Sequence, residues 1–213
     1  LLVRVTISGQ KRWWELSGTP KINEAGAFDG FRGVGSDVTE QRESSDKIAW
    51  MARYDTLTGL PNRMMLTEAL GEAMRYAEQW RTRCAFLMID LDRFKAVNDT
   101  YGHPVGDEVL RRLGRILKQS VRQEDLAVRY GGEEFLLVLF GAEREAAKEV
   151  VERIRERFRS ERVAPIPYPL TLSAGIAGGE VPEGRETLEE WILKADYALL
   201  RAKETGRDRV TLA

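Results

Sequence analysis

The stretch RYGGEEF (129–135) lies between two apolar runs, LAV before it and FLLVLF after it. That arrangement reads as a β-hairpin. Elsewhere from Asp55 onward, strand patterns alternate with helix patterns, which favours a parallel sheet. A hairpin joins antiparallel neighbours, so the sheet is expected to be mixed or antiparallel. A turn accounts for Gly131 and Gly132. It leaves unexplained why two carboxylates, Glu133 and Glu134, stand at the tip of a buried hairpin.

The elements around the hairpin follow from periodicity. Met65, Leu66, Ala69, Leu70, Ala73, Met74 and Ala77 form a helical stripe behind LTGLPN. CAFLMIDL (84–91) is a continuous apolar strand. A second helix carries Val105, Val109, Leu110, Leu113, Ile116 and Leu117. After the hairpin come a helix over 143–159 and the strand LTLSAGIA (170–177). A last helix with Leu188, Trp191, Ile192, Ala195 and Ala202 on one side precedes the short strand RVTL. Upstream, residues 1–38 alternate as β-structure in LLVRVTI, RWWELSGTP and FDGFRGVGSDV, three strands that are marginal as a domain of their own. The opening reads as though within a strand, so a longer parent chain is expected. From residue 39 the sequence TEQRESSDKIAWMARYD is polar and suited to a helix. Gln41, Ser45, Ile48 and Ala52 fall at a weak heptad spacing, which leaves a solvated linker helix and a dimerising coil both open.

Asp90 and Asp92 stand where CAFLMIDL runs out, on the same side of the strand by alternation. If the hairpin neighbours that strand, Glu133 and Glu134 join them at one edge, and the cluster calls for a cation. All-oxygen ligands favour Mg²⁺ or Mn²⁺ over zinc. An EF-hand fails in the following segment because ligand positions fall on Phe94 and Tyr101, and no P-loop motif occurs. Near the C-terminus, Lys203 and Arg207 are spaced to share one helical face, suited either to the helix dipole or to phosphates. His103, the only histidine, leaves no pair for zinc and is expected in a turn or packing role.

Several classes drop out on composition. With 33 Lys+Arg against 34 Asp+Glu, there is no sign of a general DNA- or RNA-binding surface. A nucleotide partner is therefore expected to be small and locally held. The single cysteine, Cys84, gives no disulfide framework or thiolate cluster and is expected in the core of a cytoplasmic protein. No run of about 18 apolar residues is present to span a membrane.

Taken together, RYGGEEF, DLDRFKAVNDTYGHPVGD (90–107) and DTLTGLPNR (55–63) resemble the GGDEF family of bacterial diguanylate cyclases, in a GGEEF spelling, over residues 53–213. The resemblance implies an α/β (α+β) sandwich similar to nucleotidyl cyclases and polymerase palms, with a mixed antiparallel sheet flanked by helices. It implies condensation of two GTP into cyclic di-GMP and pyrophosphate by a homodimer; the alternative is a silent module that binds GTP or cyclic di-GMP. Asp90, the Leu91 carbonyl and Glu133 would hold Mg²⁺ or Mn²⁺, and Glu133 would also serve as base. Glu134 would stand behind them. Asn98 and Asp107 would read guanine, while the Phe94 backbone, Lys95, Lys203 and Arg207 would cradle phosphates. Arg122 and Asp125, an RxxD just before the hairpin, match the family's product-inhibition site. Residues 1–38 resemble the last strands of a PAS sensor, with GVGSDVTE as its exit. Residues 39–54 would then be a signalling helix and 55–213 the cyclase domain.

Overall fold

A computed structural model describes residues 1–80, 83–180 and 187–213, without the side chains of 72–80 and 188. Ala73, Met74, Ala77 and Leu188 of the expected helical stripes thus fall outside the described side chains. The chain divides into two compact units, Leu1–Met51 and Ala52–Ala213.

In the first unit, β1 (Leu2–Ile7), β2 (Gln10–Ile22) and β3 (Phe28–Asp37) form an antiparallel meander in that order. Ser8 and Gly9 both have positive φ, 51° and 80°, which suits a two-residue hairpin whose twist matches its strands. No residue of this unit is fully buried, and Phe28, Phe31 and Val34 are exposed. Helix α1 (Thr39–Arg53) begins where Thr39 Oγ1 accepts from the Trp13 amide at 2.8 Å. It buries none of its residues.

The second unit is a five-stranded sheet in the order β5-β6-β4-β7-β8. Its strands are β4 (Cys84–Leu91), β5 (Leu126–Arg129), β6 (Glu134–Phe140), β7 (Leu172–Glu180) and β8 (Val210–Leu212). All neighbours are antiparallel except the parallel pair β7–β8, so the sheet is mixed. Its helices are α2 (Arg63–Trp80), α3 (Phe94–Tyr101), α4 (His103–Ser120), α5 (Arg144–Ser160) and α6 (Leu188–Glu204).

Alternation along β4 sorts the two faces. Ala85, Leu87, Ile89 and Leu91 enter a core with Leu113 and Leu117 of α4 and Val151, Ile154 and Phe158 of α5. Cys84, Phe86 and Met88 enter a second core with Leu66 and Leu70 of α2 and Trp191, Ala195 and Leu199 of α6. A strand covered on both sides must be apolar throughout, which is why CAFLMIDL shows no polar alternation. Cys84 is a core residue, its thiol pushed up to about 12 by burial and by Asp125. Helix α3 was not distinguished from the periodicity. Arg93 starts it with a left-handed φ of 57°, and Gly102, φ 83°, separates it from α4. His103 is the exposed first residue of α4, neither in a turn nor packed in the core as expected.

Candidate active site

The same alternation that places Phe86 and Met88 toward α6 places Asp90 there as well. Gly175 of β7 lets α6 approach closely, because a side chain there would collide with the Ala195 carbonyl. The last turn of α6 then puts Lys203 Nζ 2.8 Å from Asp90 Oδ2. In the β4–β6 register Asp90 stands opposite Glu134, and the Leu91 amide donates to the Glu133 carbonyl at 3.4 Å. Lys203 thus pairs with Asp90 directly, and Glu133 and Glu134 add negative charge beside that pair. Asp90 is only 4% exposed, and burial pushes its pKa to about 6; Glu133 and Glu134 push the same way while Lys203 opposes them. Burial raises Glu133 too, with Lys203 again opposing and Glu134 adding to the rise.

This excess of negative charge fits a divalent cation. The donors available from Asp90, Glu133 and the Leu91 carbonyl are all oxygens, which suits Mg²⁺ or Mn²⁺. Among the described residues no three His, Cys, Asp or Glu side chains could hold a metal by themselves. Two carboxylates and a carbonyl would need phosphate oxygens to complete the shell, as is usual for Mg²⁺.

The charge excess also predicts a pH-dependent stability. Folding raises the Asp90 pKa from 3.8 to about 6, so folding disfavours its ionised form. Its contribution to stability is complete below its ordinary pKa and is lost as pH rises through about 6. Asp90→Asn is therefore expected to raise the melting temperature at about pH 8 and to change it little at about pH 4. An equal shift at both values would contradict this.

Asp92 does not join the cluster. Its Oδ1 accepts from Ser173 Oγ at 2.7 Å, and its Oδ2 from Thr171 Oγ1 at 2.8 Å and the Asp208 amide at 3.0 Å. With both oxygens occupied by neutral donors, it ties the end of β4 to β7 and to the turn after α6. The expected one-face pairing of Lys203 with Arg207 also fails. Helix α6 ends at Glu204, and Arg207 lies beyond it, exposed, at a left-handed φ of 63°.

Neither glycine of the hairpin adopts a left-handed conformation, so the turn's dihedrals do not demand them. A Cβ at Gly131 would lie 2.6 Å from Glu134 Oε2, whereas a Cβ at Gly132 would meet nothing within 4 Å. Gly132 therefore leaves open space at the tip.

Sequence reasoning missed the brace that holds this tip. Arg129 Nη1 binds both Asp55 oxygens, at 3.1 and 2.9 Å, while Nε and Nη2 donate to the Gly132 carbonyl at 3.2 and 2.7 Å. Asp55 also accepts from the Thr58 amide and hydroxyl at 2.8 and 2.6 Å, and the Arg129 amide donates to Pro61 at 2.9 Å. The only sequence signal was that Asp55 and Arg129 open the two motifs DTLTGLPNR and RYGGEEF.

The expected guanine readers are close neighbours. Asn98 presses its side-chain carbonyl against Gly106, where a methyl group would collide with it, and half-buried Asp107 follows next in α4. Phe94 is buried under the start of α3 and Lys95 is exposed beside it. At the RxxD, Asp125 spans a turn: Oδ2 accepts from the Arg122 amide and Oδ1 from the Phe140 amide, both at 3.0 Å. The Arg122 side chain is 76% exposed. Both residues border a cavity of about 390 Å³ with Glu149 and Arg153 of α5.

A family described as "Diguanylate cyclase, GGDEF domain" matches residues 52–209, starting where the second compact unit starts. The chain belongs to the GGDEF family. The chain is 37% identical over 177 residues to diguanylate cyclase DgcM of Escherichia coli, covering 83% of this chain and 42% of that one. It is 38% identical over 169 residues to DgcP of Pseudomonas aeruginosa, covering 76% and 24%. The chain thus spans less than half the length of these relatives. The coiled coil and GGDEF domain of DgcB from Caulobacter crescentus, solved with c-di-GMP, superposes with a TM-score of 0.74 at 30% identity, covering 83% and 93%. The active GGEEF domain of a Vibrio cholerae diguanylate cyclase superposes at 0.62 and 32% identity, covering 66% and 89%. The mixed sheet flanked by helices is the palm-like architecture of nucleotidyl cyclases.

Proposed function

We propose that residues 55–213 act as a diguanylate cyclase, joining two GTP into cyclic di-GMP with release of pyrophosphate. The observation that carries this reading is the buried Asp90 beside Glu133 and Glu134 at the GGEEF tip, paired with Lys203. A bound Mg²⁺ or Mn²⁺ would neutralise triphosphate charge and polarise the α-phosphate. Glu133 would accept the proton of the ribose 3′-hydroxyl, and its raised pKa brings it toward the range useful to a base. Lys203, Arg207, Lys95 and the backbone at Phe94 would cradle phosphates. Asn98 and Asp107 would read the guanine edge.

Each site holds one GTP, whereas the product joins two symmetrically, so two copies must face one another across a two-fold axis. Residues 1–38 are read as the end of a PAS sensor and 39–54 as the helix that sets the approach of the two copies. No helix among the described residues is long and apolar enough to cross a membrane; the proposed setting is cytoplasmic. Incubating the dimeric protein with GTP and Mg²⁺ and assaying cyclic di-GMP tests the reading. GTP binding without product would indicate a silent module instead.

Two substitutions probe the finer assignments. Asp107→Ala is expected to erode discrimination between GTP and ATP by about 1–3 kcal/mol, the worth of a charge-assisted bond to a base edge. Equal losses for both nucleotides would refute the guanine role. Arg122→Ala should relieve inhibition by cyclic di-GMP while initial velocity stays unchanged. Persistent inhibition in a variant that still dimerises would reduce the RxxD to the turn that Asp125 visibly spans.

A further inference from the structure

The turn that carries Arg207 is unusual in its backbone. Gly206, Arg207 and Asp208 have consecutive positive φ values of 124°, 63° and 45°. Two of the three are not glycine, and such residues stay left-handed only where their surroundings over-determine them. Here the surroundings come from four elements. The Arg207 amide donates to Ala202 of α6 at 3.0 Å, and Ala174 of β7 donates to the Arg209 carbonyl at 2.9 Å. The Asp208 amide donates to Asp92 at the end of β4 at 3.0 Å. From α5, Arg155 Nη1 binds Asp208 Oδ1 at 2.7 Å and the Asp208 carbonyl at 3.3 Å, and Arg159 lies 3.4 Å from Oδ2.

We propose that Asp208, fixed by Arg155 and by Asp92, is a positioning residue that aims Arg207 at the nucleotide's phosphates. The inference rests on the phosphate-cradle reading of Arg207 given above. Asp208 is itself an anion and repels phosphate, so any benefit it brings to nucleotide binding must pass through its neighbour. Its carboxylate is turned toward α5, where two guanidinium groups hold it. Arg155 is in turn held by Glu152 at 2.8 Å and Glu156 at 2.7 Å, with its side chain only 15% exposed. Arg207 and Asp208 border one cavity of about 430 Å³ together with Asp92 and Arg93. Asp92 thus orients this turn, whereas Asp90, two residues earlier, pairs with Lys203.

A double-mutant cycle on the whole chain tests the proposal. The ligand is the α,β-methylene analogue of GTP, which binds but cannot be condensed, with GMP as the short comparator. Asp208→Ala alone is expected to weaken the analogue by about ten-fold, with little change for GMP. In an Arg207→Ala background the same change should cost less than about two-fold, because its effect passes through the missing side chain. Arg155→Met breaks the same pair from α5 and should reproduce the pattern, which covers the case where Asp208→Ala fails to fold. Equal losses in both backgrounds would overturn the inference while leaving the phosphate role of Arg207 intact. An Arg207→Ala protein that binds the analogue as tightly as the parent would overturn both.

Discussion

Glu133→Gln is expected to reduce cyclic di-GMP synthesis at least about 1,000-fold, since it removes a general base and an anionic oxygen ligand together. The change keeps the shape of the side chain, so the hairpin should remain folded. Glu133, Glu134 and Asp90 repel one another, and removing one charge relieves that repulsion. The melting temperature at neutral pH should therefore hold or rise while turnover vanishes. Product formation within ten-fold of the parent, measured on a variant with an unchanged circular dichroism spectrum, would remove Glu133 from both roles.

The second large effect is expected at Arg129. Arg129→Ala strips Asp55 of its guanidinium partner and the Gly132 carbonyl of two donors, on a pair whose side chains are only 15% and 20% exposed. Hydrogen bonds to charged groups justify a loss of about 2 kcal/mol, read as a lower urea midpoint at unchanged slope. Turnover should fall by at least about ten-fold as well, because the clamp fixes the hairpin tip that presents Glu133. Arg129→Lys is the informative control. A lysine carries the charge but lacks the planar fork that reaches Asp55 and Gly132 at once. Should Arg129→Lys match the parent in both measurements, charge alone would suffice and the fork geometry would be irrelevant.

Much of this molecule is legible in the chain because its strongest signals are local. Helical periodicity in 103–120 and 144–160, the apolar run of β4 and the glycine-marked hairpin each depend on residues within a few positions of one another. The hairpin alone excluded an all-parallel sheet, and alternation along β4 already placed Asp90 and Asp92 on one side. What alternation could not tell is which of the two carboxylates stays available. That choice belongs to Thr171, Ser173 and Asp208, which lie 79, 81 and 116 residues from Asp92 and saturate it with neutral donors. The Arg129–Asp55 brace spans 74 residues and left no periodic trace. Likewise, a four-residue spacing predicted a shared helical face for Lys203 and Arg207, but α6 ends between them. The glycine at 206 and the pull of Arg155 on Asp208 turn the chain there, and that pull comes from another helix. Backbone periodicity therefore determined the elements and their buried faces, since it acts over one or two turns of chain. The partners of each buried charge were decided only when strand order brought distant segments together.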